Sequence, residues 1–140
     1  MLLALDALAQ RQLAAFLMCN RLPVSQAPAV VHDAVITGLC SKWARYDADP
    51  AKRISIDDGL RYELLREDTA PAGEPIDVTW SPRADRRDVE PDRVKAEQLA
   101  AAVGCDVRAV YEAAARIGLA KLEPSERRQQ IHAARAAKET

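Results

Sequence analysis

The chain has 140 residues, a formal net charge of −1, 49% hydrophobic residues and only 4% aromatic residues. Its length suits one ordinary core or two small lobes, and the near-neutral charge excludes a global field that would draw the protein to nucleic acid or to an anionic membrane. With so few aromatic residues, the core must be built from Ala, Leu and Val, which favours helices over a large sheet. We therefore expect a mainly α fold with a minor β component (α+β).

The first 20 residues predict an apolar helix that ends before Leu22-Pro23. Its polar face is thin, and a helix of this kind is normally buried by more than one neighbour. Dimerisation is one way to supply that neighbour, so self-association through the N-terminal helices is expected. The apolar residues at near-helical spacing are Leu2, Leu5, Leu8, Leu13, Phe16 and Leu17.

A second helix is predicted to begin at Ser25, with Pro28 tolerated in its first turn. The short connection to the first helix predicts an antiparallel helical hairpin. Trp43 and Tyr46 are either an interface anchor or part of the hairpin core. The apolar ridge of this helix follows a strict four-residue spacing at Val31, Val35, Leu39 and Trp43.

Between Lys52 and Trp80 the apolar period changes from helical to alternating. The alternating residues fall into three groups, Ile54 and Ile56, then Leu60, Tyr62 and Leu64, then Ile76, Val78 and Trp80. The dipeptide Asp58-Gly59 is typical of a turn, so a small antiparallel β-meander is predicted. The competing interpretation is a short helix over residues 57–67, because Leu60, Leu64 and Leu65 also suit a helical face.

Residues 81–91 contain two prolines and mixed charges with almost no apolar side chains, which is typical of an exposed linker. The predicted organisation is a packing and dimerisation unit at 1–80, this linker at 81–91, and a helical lobe at 92–140. Arg83, Arg86 and Arg87 in the linker could contact phosphates, although the interleaved acids favour a solvated charge run.

The segment from Asp92 to Leu119 has the spacing of a helix-turn-helix. Leu99, Ala100 and Val103 share one face of a first helix, and Gly104 interrupts it at the turn. Asp106 can cap a second helix at its N-terminus. The apolar face of that second helix continues through Val107, Val110, Ala114 and Ile117, and Gly118 is expected to close it.

The run AAAVGCDVRAVYEAAARIGL resembles the Fis-type helix-turn-helix at the C-terminus of bacterial DNA-binding regulators. On that resemblance the framework positions are Gly104, Val110, Tyr111, Gly118 and Leu119. The run is also similar to the N-terminal module of bacterial translation initiation factor two, which implies a ribosome- or RNA-associated role. Acidic Asp106 and Glu112, together with several alanines, depart from a helix that reads DNA.

No catalytic motif points to an enzyme. The chain has no Gly-rich phosphate loop, no HExxH and no GxSxG, so a non-enzymatic protein without cofactors is expected. Its three cysteines stand singly and its two histidines form no ligand cluster, so no metal site is predicted. The sequence shows neither a convincing signal peptide nor a run long enough to cross a bilayer, which predicts a cytoplasmic protein without membrane contact.

The first functional hypothesis is a small bacterial DNA-binding regulatory protein that binds double-stranded DNA as a dimer. The second helix would enter the major groove with Arg108, Tyr111, Glu112 and Ala115 towards the bases and Arg116 nearer the backbone. The full set of predicted nucleic-acid-binding residues is Lys95, Arg108, Tyr111, Arg116, Lys121, Arg127 and Arg128.

The second hypothesis is a protein–protein adaptor or an assembly subunit from a phage, a plasmid or a larger complex. The alanine-rich and partly acidic second helix favours it, because a flat face of small residues suits close helix packing better than insertion into a groove. The helix-turn-helix would then be a scaffold only.

Overall fold

The computed structural model describes residues 1–39, 56–80 and 90–122, except for the side chains of residues 56–58 and 90–92. Over these ranges the fold is mainly helical with a small two-stranded antiparallel sheet, so the expected α+β class is confirmed. The elements are β1 (Leu2–Leu3), α1 (Ala7–Cys19), α2 (Ala27–Leu39), α3 (Ile56–Leu64), β2 (Ile76–Asp77), α4 (Glu90–Val103) and α5 (Val107–Ala120).

The N-terminal helix is shorter than predicted, because its first residues form a strand instead. Leu2 and Leu3 pair antiparallel with Asp77 and Ile76. The Asp6 carboxylate accepts a hydrogen bond from the Ala9 backbone N–H at 2.8 Å, which caps α1 and sets its start at Ala7. The prediction of a helix from Leu2 is therefore wrong at its beginning.

Helix α2 carries the predicted apolar ridge on its buried side. Val31, Val35 and Leu39 are all buried, whereas Trp43 lies outside the described residues, as does Tyr46. Ser25 does not cap the helix directly, since Val24–Gln26 forms a single 3-10 turn that leads into α2. Helices α1 and α2 are in contact as the predicted hairpin requires, but the closest approach of α2 is to α5.

The β-meander prediction is wrong over its middle segment, where the competing helix is found. Ile56–Leu64 forms α3, because Leu60 and Glu63 turn towards the core while Tyr62 stays exposed. That burial pattern has a period of three to four residues rather than two. Among the described residues of the predicted meander, Ile76–Asp77 alone is a strand, and it pairs with the N-terminal segment rather than with a neighbouring strand of a meander. Ile54 lies outside the described residues.

The predicted bend at Gly104 is present between α4 and α5. Gly104 has a φ of 82°, a conformation that glycine adopts at little cost. Asp106 caps α5 by accepting a hydrogen bond from the Arg108 backbone N–H at 2.9 Å. Gly118 does not close α5, however, since the helix continues to Ala120.

One core cluster joins residues from both predicted lobes. It contains Leu13 of α1, Val35 of α2, Leu60 of α3, Leu99 of α4 and Val110 of α5. Helix α5 contacts all four other helices and β1, so it is the central helix of the described fold. Of the predicted linker at 81–91, residues 81–89 lie outside the described ranges and Glu90 and Pro91 belong to α4.

Candidate functional site

The helix-turn-helix pair is built as its spacing predicts. Ala100 of α4 and Val110 of α5 are both buried where the two helices meet. The backbone N–H groups of Gly104 and Cys105 both donate to the Ala100 carbonyl, at 2.8 and 3.0 Å, which closes the end of α4. The small residue lets the helices approach, and the branched valine fills the angle between them.

The second helix of this pair is clamped against α2 by two glycines. A Cβ at Gly38 would overlap the backbone of Ala114, and a Cβ at Gly118 would overlap the backbone of Ala34. The two contacts are reciprocal and four residues apart on each helix, so α2 and α5 run antiparallel in backbone contact. Gly118 is therefore a packing residue in the middle of a helix interface, whereas the sequence predicts a helix end there.

Tyr111, a predicted base-reading residue, lies in the interior. It is 2% exposed, and its ring stands 4.6 Å from that of Trp80, centroid to centroid. Trp80 in turn stands 5.5 Å from the imidazole of His32 on α2. The three rings form a tilted aromatic stack that joins α2, α5 and the segment after β2. In this arrangement the Tyr111 ring is not presented to a ligand outside the protein.

Arg116, the predicted phosphate contact, is held by Glu63 of α3. Its Nε donates to Glu63 Oε1 at 2.8 Å, and its Nη2 donates to the Glu63 carbonyl at 3.2 Å. The Arg116 side chain is 11% exposed and that of Glu63 is 10% exposed, so the pair is largely shielded from water. A shielded pair of this kind is costly to break, because Arg116 without Glu63 would be a buried uncompensated charge.

The same carboxylate extends into a network at the surface. Arg66 Nη1 donates to Glu63 Oε1 at 2.9 Å, and Arg66 Nε donates to Asp68 Oδ1 at 3.0 Å. The hydrogen bond from Arg66, followed by its positive charge, lowers the pKa of Asp68 below the ordinary value. The hydrogen bond to Asp68 and then that to Glu63 raise the pKa of Arg66. Sequence reasoning missed Glu63, since no local pattern distinguishes it from other helical acids.

Glu112, expected at the base-reading side, is also engaged within the chain. Its carboxylate accepts a hydrogen bond from the backbone N–H of Ala4, next to β1. Helix α5 therefore packs against α2, binds α3 through Arg116, and binds the N-terminal segment through Glu112. Seven of its fourteen residues are buried.

Among the described residues, the predicted cations Arg108 and Lys121 do not share a face of α5. Arg108 is exposed at the start of the helix, and Lys121 is half-buried just after its end. An α-helix rises about 1.5 Å and turns about 100° per residue, so the two residues are roughly 20 Å apart along the helix axis and point to different sides of it. Lys95 is half-buried on α4, and Arg127 and Arg128 lie outside the described residues. Within the part of the chain that the structure describes, the cation that meets Arg116 at Glu63 Oε1 is Arg66, which is not one of the predicted set.

An apolar groove that the sequence analysis did not identify runs along α1. We call it the α1 groove; it lies between α1, the segment that follows this helix, and β2, with a volume of about 510 Å³. Met18 and Val24 on its rim are 79% and 81% exposed. Exposed apolar residues gathered in one place are typical of binding surfaces. The apolar lining includes Leu13, Leu17, Met18, Leu22, Val24 and Ile76.

Among the described residues, no helix combines the length and the apolar character needed to span a bilayer. Over the same ranges, no group of three or more His, Cys, Asp or Glu side chains is placed to hold a metal ion. Comparisons of the chain with family models, with curated proteins and with solved structures each found no match.

Proposed function

We propose that the protein is a non-enzymatic adaptor or assembly subunit that binds other protein surfaces, with the helix-turn-helix serving as its internal scaffold. The observation that carries this proposal is the burial of α5 by the rest of the chain. A helix that reads DNA must offer one long face to the major groove. Here Tyr111 is covered by Trp80, and Arg116 is bound to Glu63.

Among the described residues, the α1 groove offers an exposed apolar surface. The α1 groove has exposed Met18 and Val24 at its rim, and both side chains are suited to burial against another protein. Methionine is adaptable in shape and is common at surfaces that bind protein helices. The functional surface in this proposal is therefore on the N-terminal helix, on the residues that sequence analysis assigned to packing and self-association.

DNA binding is the second candidate, and exposed Arg108 at the start of α5 is the observation that favours it. Arginine is the residue that most often makes a bidentate contact with guanine. One such contact per chain supplies only about 1–3 kcal/mol of discrimination, and the neighbouring Asp106 repels phosphate. We therefore place this candidate second.

Two measurements on the full chain separate the candidates. The first is a titration of mixed-sequence duplex DNA at low and moderate salt with the native chain, Arg108→Ala and the matched control Arg61→Ala, which removes an exposed arginine from α3. The adaptor proposal expects no retarded complex, or a weak one that salt abolishes and that both variants weaken equally. A complex lost in Arg108→Ala and kept in Arg61→Ala would overturn it.

The second measurement asks whether the α1 groove binds protein. The native chain, Met18→Lys and Leu65→Lys are compared for retention of protein partners under identical conditions. Leu65 is the matched control, since it is 72% exposed and apolar but does not line the groove. We expect retention to be lost in Met18→Lys alone. Equal retention by all three chains would contradict a role for the groove.

A further inference from the structure

The α1 groove contains both an apolar cavity and an apolar side chain that could fill the same cavity in a second copy of the chain. Leu13 and Leu17 form its buried floor, and Met18 stands out from its rim. Both features lie on the same helix, so one copy of the chain offers a cavity and a projecting side chain within a single patch. An interface that uses the same patch on both subunits is the arrangement of a two-fold dimer.

A small residue lies near the middle of this patch. Ala14 lines the groove and is exposed, halfway along α1 between Gln10 and Met18. Two helices approach most closely where small side chains face each other, so Ala14 is suited to the crossing point of two copies of α1. If the two-fold axis passes there, the C-terminal half of each α1 lies against the N-terminal half of the other.

The charges at the two ends of the groove are opposite in sign. Glu74 lies at the end near Gln10, whose side-chain amide donates to the Ala72 carbonyl at 3.0 Å. Leu22 lines the groove beyond Met18, and its chain neighbour Arg21 is exposed with a φ of 55°. Neither side chain has an ion-pair partner among the described residues. An antiparallel pairing of α1 therefore sets each Glu74 near an Arg21 of the other copy.

We propose that the α1 groove binds a second copy of this chain, with the two α1 helices antiparallel across a two-fold axis near Ala14. Met18 of each copy enters the groove of the other, and Glu74 and Arg21 pair between copies at both ends. This inference rests on the proposed function, because it names the partner of the same surface. It also accounts for the thin polar face of the N-terminal helix, since dimerisation covers the exposed apolar side chains.

The test is the association state of the full chain, measured by sedimentation equilibrium over a range of concentrations. We expect a monomer–dimer equilibrium that Met18→Lys weakens by about tenfold or more, because a lysine would have to be buried in an apolar groove. Leu65→Lys changes an apolar residue of similar exposure outside the groove and is expected to leave the dissociation constant unchanged. Far-UV circular dichroism checks that each variant keeps its helical content.

A charge exchange tests the orientation. Glu74→Arg and Arg21→Glu are each expected to weaken the dimer severalfold, and the chain carrying both changes is expected to recover most of the loss. A chain that stays monomeric at its highest soluble concentration overturns the dimer, as does a dimer that Met18→Lys leaves intact. Single variants that weaken association without recovery in the double variant overturn the antiparallel pairing.

Failure of the dimer and failure of the proposed function give different results. A monomeric chain whose groove still retains another protein, with retention lost in Met18→Lys, removes only the second copy as partner. A chain that binds duplex DNA through Arg108 removes the adaptor function, whatever the association state is.

Discussion

Gly38 of α2 lies in backbone contact with Ala114 of α5, and Gly118 repeats this contact against Ala34 four residues along each helix. The two contacts join parts of the chain that are some 80 residues apart in sequence. They bring α5 so close to α2 that no side chain fits between the helices at these positions. The helix whose spacing predicts a DNA-reading role is thereby held in the core.

Substituting either contact glycine should destabilise the fold. In Gly38→Ala and Gly118→Ala the added methyl group meets backbone atoms, which have no freedom to move aside, and overpacking of this kind costs about 1–3 kcal/mol or more. Urea denaturation followed by circular dichroism measures the change in the free energy of unfolding.

Gly59 of α3 provides the matched control for these substitutions. A Cβ at Gly59 meets no atom within 4 Å, and the residue lies inside a helix. Gly59→Ala is therefore expected to stabilise the protein by about 0.5–1 kcal/mol. If Gly38→Ala were also stabilising, the close approach of α2 and α5 would be wrong.

Gly104 is expected to resist substitution for a different reason. Its Cβ would meet nothing within 4 Å, but its φ of 82° disfavours any residue with a side chain. Gly104→Ala should cost about 1–2 kcal/mol, and Gly104→Asn less, because asparagine tolerates this conformation better. Thermal unfolding of the three chains measures the order. Equal stability of the alanine and glycine chains would show that the bend does not need a left-handed residue.

Removing the charge of Glu63 should destabilise the packing of α3 on α5. Glu63→Gln leaves the shielded Arg116 without its counter-charge, and breaking a buried pair in this way costs about 3 kcal/mol. The control is Glu67→Gln, which changes an exposed acid just after α3 and should stay within about 0.5 kcal/mol. Urea denaturation measures the free energy of unfolding of both variants. Similar losses would indicate that Glu63 contributes through the net charge of the protein and not through its pair with Arg116.

Asp68 should titrate below the ordinary range of aspartate. Its carboxylate accepts a hydrogen bond from Arg66 and is attracted by the same guanidinium, and both effects lower its pKa in the folded chain. Any stability it contributes is therefore present above the pKa of the unfolded chain and is lost as the pH falls through the lower folded pKa. NMR titration of the carboxyl carbon should show a higher midpoint in Arg66→Ala, and an unchanged midpoint would contradict the assignment.

The helix caps supply a further comparison. Asp106→Ala removes the acceptor of the Arg108 N–H at the start of α5 and should cost about 1 kcal/mol. Asp106→Asn keeps an acceptor oxygen and should cost clearly less. Asp6→Ala is expected to lose a similar amount at α1, where the capping carboxylate is buried. Unfolding by urea distinguishes these variants, and identical losses for alanine and asparagine at position 106 would exclude capping as the cause.

The elements that sequence reasoning predicted correctly depend on neighbouring residues. The ridge of Val31, Val35 and Leu39 forms the buried side of α2, and the bend at Gly104 with its Asp106 cap is present. Around Leu60 and Tyr62 the apolar residues fit both the two-residue period of a strand and the helical period. The predicted strand is wrong there, since the segment is helical. A short segment fits both patterns, and only its contact with α5 selects the helical one.

The sequence by itself determined the mainly helical class, the apolar side of α2 and the turn between α4 and α5, because spacing, capping and glycine act over a few residues. Only the tertiary structure decided that Tyr111 and Arg116 face inward and that the N-terminal helix keeps an open groove. The physical reason is that a side chain's partner is chosen by packing across the whole chain. Trp80, Glu63 and Gly38 are distant in sequence from the helix they cover, and no local pattern connects them to it.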